Sequence, residues 1–291
     1  MENHVKTNIH LSTKSSYSFA RPVGFDLDQI FDCGQSFRFV KNGDNSYSGI
    51  AFGKAIDIRN ENDKITIVGS NEDDFHTIWE SYFALDLDYS ALRDEITASR
   101  PYDEVLRNAM EYGSGIRLLR QEKWETLCSF IISQNNNIPR IRSLIESISR
   151  RYGNKIESAN GKFYSFPSAK KIANAGIDDL RELKVGFRAP YIHDAATKVA
   201  SGELDLDGLD SLSTDDLLSE LMKIKGVGLK VASCVALFAY GRLDCFPIDV
   251  WVKRVLEKYY PEGFDHTELK NTAGLVQQYL FYYERYGGFQ K

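Results

Sequence analysis

Residues 214–260, TDDLLSELMKIKGVGLKVASCVALFAYGRLDCFPIDVWVKRVLEKYY, contain two helical segments joined by a short glycine turn. The first helix begins near Ser213, a favourable N-cap residue. After the turn Gly226-Val227-Gly228, the second helix runs over residues 229–240 and is closed by Gly241. This pattern predicts a helix–hairpin–helix motif, although an ordinary pair of helices with a glycine turn fits the same residues equally well.

The glycine turn has the chemistry of a phosphate-binding site. Gly226 and Gly228 let the backbone turn sharply and approach a ligand closely. The amides at the N-terminus of the second helix point outward, and that end of a helix attracts anions. Lys223, Lys225 and Lys230 add three positive charges with no acidic residue between them. We therefore expect the turn to contact phosphate.

The upstream sequence predicts a small antiparallel sheet followed by helices. Apolar residues alternate in four short runs within residues 36–69, the first at Phe37 and Phe39. An apolar helical stripe then provides a cover for one face of the sheet; it consists of Phe75, Ile78, Trp79, Tyr82 and Phe83. From about residue 100 onward the apolar period is helical, and the first stripe begins at Tyr102. We predict an α+β protein with an antiparallel-sheet domain at 1–99 and an all-helical region at 100–291, made of two subdomains with a cleft between them.

Charge is unevenly distributed along the 291 residues. The formal net charge of −5 taken alone disfavours nucleic-acid binding. However, residues 71–99 hold eight acids against one base and residues 201–220 hold seven acids and no base, so the rest of the chain is positive. Basic residues concentrate in 140–155 and 221–230. This distribution predicts a local basic footprint with an acidic back, few phosphate contacts and a shallow salt dependence of DNA binding.

Composition and cysteine usage exclude several other classes of protein. Hydrophobic residues make up 43% and charged residues 26% of the chain, which excludes wholesale disorder. There is no run of 18 apolar residues, and the start MENHVKTNIH does not have the pattern of a signal peptide. The four cysteines lack CxxC spacing. We expect a reduced intracellular protein, in the cytoplasm or nucleoid of a prokaryote or the nucleus of a eukaryote.

Four motifs in this order resemble a known enzyme family. The hairpin is followed by Gly241, Pro247 and Asp249, the spacing of the helix–hairpin–helix/Gly-Pro-Asp DNA glycosylase superfamily. GVGLKVASC and FPIDV resemble its 8-oxoguanine DNA glycosylase/lyase branch. Residues 33–38, CGQSFR, and 133–138, SQNNNI, resemble two further elements of that branch, and AGLVQQYLFYY near the C-terminus matches it more loosely. The resemblance implies a bifunctional enzyme that excises 8-oxoguanine from duplex DNA and nicks the strand.

The resemblance makes Lys230 the nucleophile and Asp249 the second catalytic residue. A free lysine has a pKa of about 10.4 and is a poor nucleophile at neutral pH. The helix N-terminus, Lys223 and Lys225 disfavour the ammonium form of Lys230, so that its amine can attack C1′ and form a Schiff base. Asp249 opens the next helix, where it fits an N-cap, and in the family it stabilises positive charge developing at C1′.

The resemblance also implies a pocket for the flipped base. A backbone carbonyl at Gly34 would accept the N7–H that 8-oxoguanine has and guanine lacks. Cys234, one turn after Lys230, and Phe281 would sandwich the base, and Gln277 would bind its Watson–Crick edge. Pro247 lines the same pocket. Taken alone, Gly34 fits an ordinary turn and Phe281 an ordinary core position.

Around the extruded base, the resemblance implies contacts to the DNA. Asn135 fills the gap in the stack, and Arg140 and Arg188 contact the orphaned cytosine. Phe187 is a wedge where tyrosine is more usual, and Trp251 stands where the family usually has histidine, with an indole N–H that can donate to phosphate. In the hairpin, the residues expected to contact the DNA are Gly226, Gly228 and Val231.

No cofactor or metal is expected. The last cysteine is Cys245, so the C-terminal four-cysteine iron–sulfur signature of some relatives is absent from this sequence. Hairpins of this kind often bind a monovalent cation through backbone carbonyls, and the sequence leaves that question open.

The expected partner is duplex DNA containing 8-oxoguanine. We expect the protein to bind it as a monomer and to have no association with a membrane. Two alternatives stay open: a related glycosylase for another damaged base, and a non-catalytic helix–hairpin–helix DNA-binding module.

Overall fold

The computed structural model describes residues 15–158 and 161–287, and its first part is an antiparallel sheet. The strand order is β1–β5–β4–β3–β2. The strands are β1 (Ser16–Ala20), β2 (Val40–Lys41), β3 (Ser46–Ala51), β4 (Lys54–Glu61) and β5 (Lys64–Val68). The predicted meander is present from β2 to β5, and β1 adds an edge strand. The first ten residues, which bear on the signal-peptide prediction, lie outside the described range.

The sheet differs from the prediction at both edges. The strand expected at Phe37 and Phe39 is wrong, because pairing there is limited to Val40–Lys41. Phe39 is instead buried, with its ring stacked on Phe31 at a centroid distance of 4.2 Å. The edge strand β1 escaped prediction because its five residues alternate only between exposed and half-buried positions.

A helical segment covers one face of the sheet, as predicted. It consists of α2 (Glu72–Asp74), a π-helical turn (Phe75–Trp79) and α3 (Glu80–Tyr82). Phe75, Trp79, Tyr82 and Phe83 are buried in one cluster with the isoleucines of β4 and β5. The Trp79 indole Nε1 donates to Ser70 Oγ at 2.7 Å, so its one polar atom is paired.

The remainder of the described chain is mostly helical. Its helices are α1 (Leu27–Asp32), α4 (Tyr89–Ser99), α5 (Glu104–Tyr112), α6 (Lys123–Ser133), α7 (Ile138–Tyr152), α8 (Ala169–Glu182), α9 (Ala189–Ser201), α10 (Thr214–Met222), α11 (Leu229–Tyr240), α12 (Val250–Tyr259) and α13 (Ala273–Arg285). Short 3-10 turns occur at Gly186–Arg188, Gly208–Ser211 and Thr267–Thr272. The α+β class is confirmed. One detail is wrong: a hairpin of β6 (Lys155–Ser158) and β7 (Gly161–Tyr164) interrupts the region expected to be all-helical.

A second core ties these helices to the N-terminal part. Cys33 and Phe37, before β2, and Ile96, on α4, are buried in the same cluster as the apolar faces of α6, α7, α11 and α13. The division of the chain at residue 99 stays a prediction. Tyr102 is 92% exposed, so its assignment to the buried stripe of α5 is wrong. Among the described helices, none is long and apolar enough to cross a membrane.

Candidate active site

The helix–hairpin–helix motif consists of α10, the glycine turn and α11. Ser213 caps α10, whereas no side chain caps α11 at Gly228. Gly226 has a φ of +78°, and a Cβ atom there would lie 2.4 Å from the Tyr191 ring, so both conformation and packing require glycine. A Cβ atom at Gly228 would meet no heavy atom within 4 Å. The N-terminus of α11 is therefore open to an approaching anion.

Most of the predicted site residues line one cleft of about 1040 Å³. Its walls come from the turn before β2, the loop between α6 and α7, the first half of α11, the start of α12 and α13. The predicted residues that line it are Gly34, Asn135, Gly228, Lys230, Val231, Cys234, Pro247, Asp249, Trp251, Gln277 and Phe281. The fold thus gathers residues nearly 250 positions apart into a cavity of the size that binds ligands.

Lys230 is the second residue of α11 and projects into this cleft. Its Nζ lies 5.6 Å from the centroid of the Phe130 ring, a cation–π arrangement. Lys223 Nζ is paired with Glu220 Oε1 at 2.6 Å, so one of the two charges expected to act on Lys230 is compensated by a neighbour.

Asp249 is the N-cap of α12. Its Oδ1 accepts from the backbone N–H groups of Trp251 at 3.0 Å and Val252 at 2.9 Å. Burial raises the pKa of its carboxyl, and the hydrogen bond from Val252 and the charge of Lys230 oppose that rise. The carboxyl group is thus held in place by two backbone N–H groups and is largely removed from solvent.

Gly34 and Phe281 meet at the opposite side of the cleft. Gly34 has a φ of +81°, and a Cβ atom there would lie 3.0 Å from Phe281 Cζ. The next residue, Gln35, is 1% exposed and anchors this turn. Its Nε2 donates to the carbonyls of Ile30 at 2.9 Å and Arg117 at 2.8 Å, so the backbone carrying Gly34 is tied to two other segments.

Cys234 and Gln277 form the inner part of the cleft. Cys234 lies one turn after Lys230 and is 4% exposed, and burial raises the pKa of its thiol. A neutral thiol can contact the face of a base without a charge penalty. Gln277 is 3% exposed and precedes Phe281 by one turn of α13, so both face the same cavity.

Four of the predicted DNA contacts do not line the cleft: Gly226, Arg140, Phe187 and Arg188. Phe187 is 53% exposed, as a wedge requires. Arg188 is 4% exposed, and its guanidinium donates to the carbonyls of Gln134, Asn135 and Val185. Arg188 therefore supports the loop that carries Asn135, and contact with an orphaned base would require exchange of these bonds.

Several basic and polar side chains of the cleft were absent from the prediction. Arg254, Lys253 and Arg285 line it, and the charge of Arg285 lowers the pKa of Asp249, opposing the effect of burial. Gln278, beside Gln277, lines it as well. The position of Arg285 one turn after Phe281 was a usable signal. Nothing in the sequence indicated that α12 presents Arg254 to the same cavity.

The predicted basic footprint is partly neutralised within the protein. Arg142 lies 3.6 Å from Asp32, Arg150 lies 2.6 Å from Glu146, and Lys155 is paired with Glu157. Arg140, by contrast, takes part in no ion pair with a described residue. The count of basic residues in 140–155 overstates the charge that is free to meet phosphate.

Within the described residues, no group of three or more His, Cys, Asp and Glu side chains is placed to hold a metal ion. Cys33, Cys128, Cys234 and Cys245 are all free and buried. The polar groups of the cleft described above are the Lys230 amine, the Asp249 carboxyl, the Cys234 thiol, three carboxamides and three further basic side chains. The carboxamides are those of Asn135, Gln277 and Gln278, and the basic side chains are those of Lys253, Arg254 and Arg285.

Comparison with protein families defines the class of protein. Residues 128–276 match the HhH-GPD superfamily of base excision DNA repair proteins. Residues 19–127 match the N-terminal domain of 8-oxoguanine DNA glycosylase. The chain belongs to the HhH-GPD superfamily.

The individual relatives that this chain resembles in sequence and structure include N-glycosylase/DNA lyases and 8-oxoguanine glycosylases. The N-glycosylase/DNA lyase of Saccharomyces cerevisiae is 32% identical over 270 residues, which cover 84% of this chain and 70% of that protein. A complex of MBOgg1 with a low-affinity DNA ligand has a TM-score of 0.89 and 40% identity, covering 94% of this chain and 96% of that one. The Clostridium acetobutylicum 8-oxoguanine glycosylase/lyase, bound to DNA with cytosine opposite 8-oxoguanine, has a TM-score of 0.85 and 36% identity, covering 91% and 93%.

Proposed function

We propose that this protein is a bifunctional repair enzyme that excises 8-oxoguanine from duplex DNA and cleaves the strand at the resulting site. The observation that carries the proposal is the placement of Lys230 and Asp249 in one cleft with Gly34, Gln277 and Phe281. A nucleophilic amine beside a buried carboxylate suits attack at a sugar carbon, and the remaining groups suit a purine. The match to the 8-oxoguanine glycosylase/lyases supports the same assignment.

The chemistry follows from the two catalytic side chains. The Lys230 amine attacks C1′ as the C1′–N9 bond breaks, and the departing purine takes up a proton. The Asp249 carboxylate stabilises the positive charge that develops on the sugar. Opening of the sugar ring then gives a Schiff base, loss of a C2′ proton expels the 3′ phosphate, and hydrolysis of the Schiff base frees Lys230.

Base selection is assigned to groups on both sides of the cleft. The Gly34 carbonyl accepts the N7–H of 8-oxoguanine and repels the N7 lone pair of guanine. Phe281 and Cys234 hold the two faces of the base, with Pro247 at its edge and Gln277 on its Watson–Crick side. A buried acceptor left unpaired by guanine is the kind of device that discriminates strongly between two substrates.

The DNA is held by the surface around the cleft. Asn135, with a φ of +47°, projects from the loop after α6 and fills the gap left by the flipped nucleotide. Arg140 contacts the orphaned cytosine, and Phe187 wedges the neighbouring step. Gly226, Gly228 and Val231 contact phosphate, as does Trp251, while Arg188 reaches the cytosine after giving up its present partners.

We further propose that the protein acts inside the cell as a monomer on duplex DNA containing 8-oxoguanine, without a cofactor. A monovalent cation at the hairpin carbonyls stays an open prediction. Binding assays with the same duplex in potassium and in tetramethylammonium salt at equal ionic strength test it, since a bound potassium ion would strengthen DNA binding only in the potassium buffer.

A gel assay tests the proposed function directly. Duplexes carrying 8-oxoguanine opposite each of the four bases, and a matched duplex carrying an alkylated base, are incubated with the enzyme, with and without borohydride. We expect strand nicking and a covalent protein–DNA adduct for at least one pairing. Binding without nicking at any pairing would instead favour the non-catalytic DNA-binding module, and nicking only at another lesion would favour a related glycosylase.

A further inference from the structure

Gln278 is a second buried carboxamide next to Gln277. It is 3% exposed and lines the same cleft. Its Nε2 donates to Gln277 Oε1 at 3.1 Å. Its own Oε1 is buried and has no hydrogen-bond partner among the described residues. The carboxamide of Gln277 is therefore held in place by Gln278, and Gln278 Oε1 remains as an acceptor without a donor among the described residues.

The hydrogen bond determines which end of Gln277 faces which way. A carboxamide has a donor end and an acceptor end of nearly the same shape. Donation from Gln278 Nε2 is compatible only with the oxygen of Gln277 on that side. Gln277 Nε2 then points away from Gln278, toward the remaining part of the cleft. Gln278 thereby orients the residue proposed to bind the Watson–Crick edge.

The unpaired oxygen of Gln278 calls for a donor. A buried acceptor without a partner costs free energy in the unliganded protein, and a ligand that supplies an N–H removes that cost. The Watson–Crick edge of 8-oxoguanine carries the acceptor O6 and two neighbouring donors, N1–H and the exocyclic N2 amino group. Gln277 Nε2 can donate to O6, and the lone pair of Gln277 Oε1 that Gln278 does not use can accept from N1–H. The exocyclic amino group is then left without a partner.

We propose that Gln278 is a specificity-determining residue, which orients Gln277 and accepts a hydrogen bond from the exocyclic N2 amino group of the flipped base. This inference rests on the proposed function and adds a second requirement to it. Gly34 distinguishes the oxidised base at N7, whereas Gln278 distinguishes a 2-aminopurine from a purine without that group. Together they require both features in one base.

The first test removes the amino group from the substrate. Two duplexes identical except for 8-oxoguanine or 8-oxohypoxanthine, each opposite cytosine, are compared in single-turnover excision. We expect the wild-type enzyme to excise 8-oxoguanine roughly 10- to 100-fold faster, the discrimination typical of one hydrogen bond to a buried acceptor. Equal rates would overturn the proposal without any mutant.

The second test removes the carboxamide from the protein. Gln278→Met keeps the length of the side chain and lacks both polar atoms. We expect it to lower the 8-oxoguanine rate more than the 8-oxohypoxanthine rate, so that the preference between the two bases falls to near one. Loss of the hydrogen bond that orients Gln277 slows both bases alike, whereas loss of the acceptor slows only the base with the amino group. Cleavage of a preformed abasic site should be unchanged in the variant, because that step needs no base.

Tyr279→Phe is the matched control. Tyr279 is the next residue on α13, is fully buried, and its hydroxyl also lacks a partner among the described residues, yet it does not line the cleft. We expect this variant to keep the wild-type preference between the two bases. If Gln278→Met lowers both excision rates equally, so that the wild-type preference persists, Gln278 accepts no hydrogen bond from the amino group and the proposal fails. A matching loss of abasic-site cleavage would show that its role is structural only. Wild-type enzyme that nicks neither duplex would instead contradict the proposed function itself.

Discussion

The two sides of the cleft differ in how they are built. One side, here the catalytic wall, comprises α11 and the start of α12 and carries Lys230 and Asp249. The other, the reading wall, comprises the turn at residues 33–37 and α13, and it carries Gly34, Gln277 and Phe281. The catalytic wall comes from one continuous stretch of chain, whereas the reading wall joins segments some 240 residues apart.

This difference largely separates the chemistry from base selection, since of the residues proposed to contact the base only Cys234 and Pro247 lie in the stretch that forms the catalytic wall. The groups on the catalytic wall are positioned by local structure: the first turn of α11 places Lys230, and the N-cap of α12 places Asp249. The groups on the reading wall are positioned by long-range contacts, such as those of Gln35 with Ile30 and Arg117. Mutations on the two walls should therefore affect different steps.

The largest effect is expected for Lys230→Gln, on the catalytic wall. Without the amine, no Schiff base forms, so the borohydride-trapped adduct should vanish and excision should fall by at least about 10³-fold. Lys198→Gln, on α9, is the control and should trap normally. An adduct persisting in Lys230→Gln would show that another amine is the nucleophile.

Asp249→Asn should give the next largest effect. Asparagine is as good an N-cap as aspartate, so α12 should keep its stability while the negative charge is lost. Excision of 8-oxoguanine should fall by roughly 10²- to 10³-fold, with binding to the lesion duplex retained. Binding titrations and thermal melting check this separation. Loss of binding together with activity would indicate a structural role.

Gly34→Ala probes the reading wall. A Cβ atom at this positive φ is strained, and it would press on the Phe281 ring at 3.0 Å. Displacing the turn should slow excision of 8-oxoguanine by roughly 10- to 100-fold. Cleavage of a preformed abasic site should be nearly unaffected, because it depends on the catalytic wall. Equal loss of both activities would break the distinction between the walls.

Glu125→Gln tests the support behind the reading wall. Glu125 on α6 lies 3.2 Å from Arg38, which follows the turn, and burial raises the pKa of Glu125 to about 7. Because the folded pKa exceeds the unfolded one, the contribution of Glu125 to stability is full below the unfolded pKa and is lost as pH rises through about 7. The wild type should lose about 2 kcal/mol more than the variant between pH 5.5 and 8.5. Urea unfolding at both pH values measures this difference, and parallel pH profiles for the two proteins would refute it.

The smallest effect concerns the surface around both walls. Because Arg142, Arg150 and Lys155 already have acidic partners, fewer cations than the sequence suggests are free to displace counterions from DNA. The logarithm of the binding constant should fall with the logarithm of salt concentration with a slope of about −3 to −4, as for three to five phosphates. A slope near −9, typical of about ten phosphates, would contradict this account.

The accuracy of the sequence-based predictions follows the same division. The start of α10, the bounds of α11 and the N-cap at Asp249 depend on neighbouring residues, and the predictions agree with the structure there. The strand expected at Phe37 and Phe39 failed because Phe39 packs on Phe31, a contact that period-two alternation does not encode. The hairpin of β6 and β7 was missed because its residues are exposed or half-buried and carry no strong apolar signal.

The amino-acid sequence by itself determined the hairpin, the lysine at the start of α11 and the aspartate that caps α12, because each depends on interactions within a few residues. Only the tertiary structure decided that Arg188 is buried beneath the Asn135 loop, that Arg254 joins the cleft, and that Gln278 holds Gln277 while keeping a buried acceptor unpaired. For Arg188 and Arg254 these properties depend on contacts between elements far apart in the chain. For Gln278 the burial and the hydrogen bond depend on which face of α13 packs against the core. The hydrophobic period and the residue spacing in the sequence do not specify such arrangements.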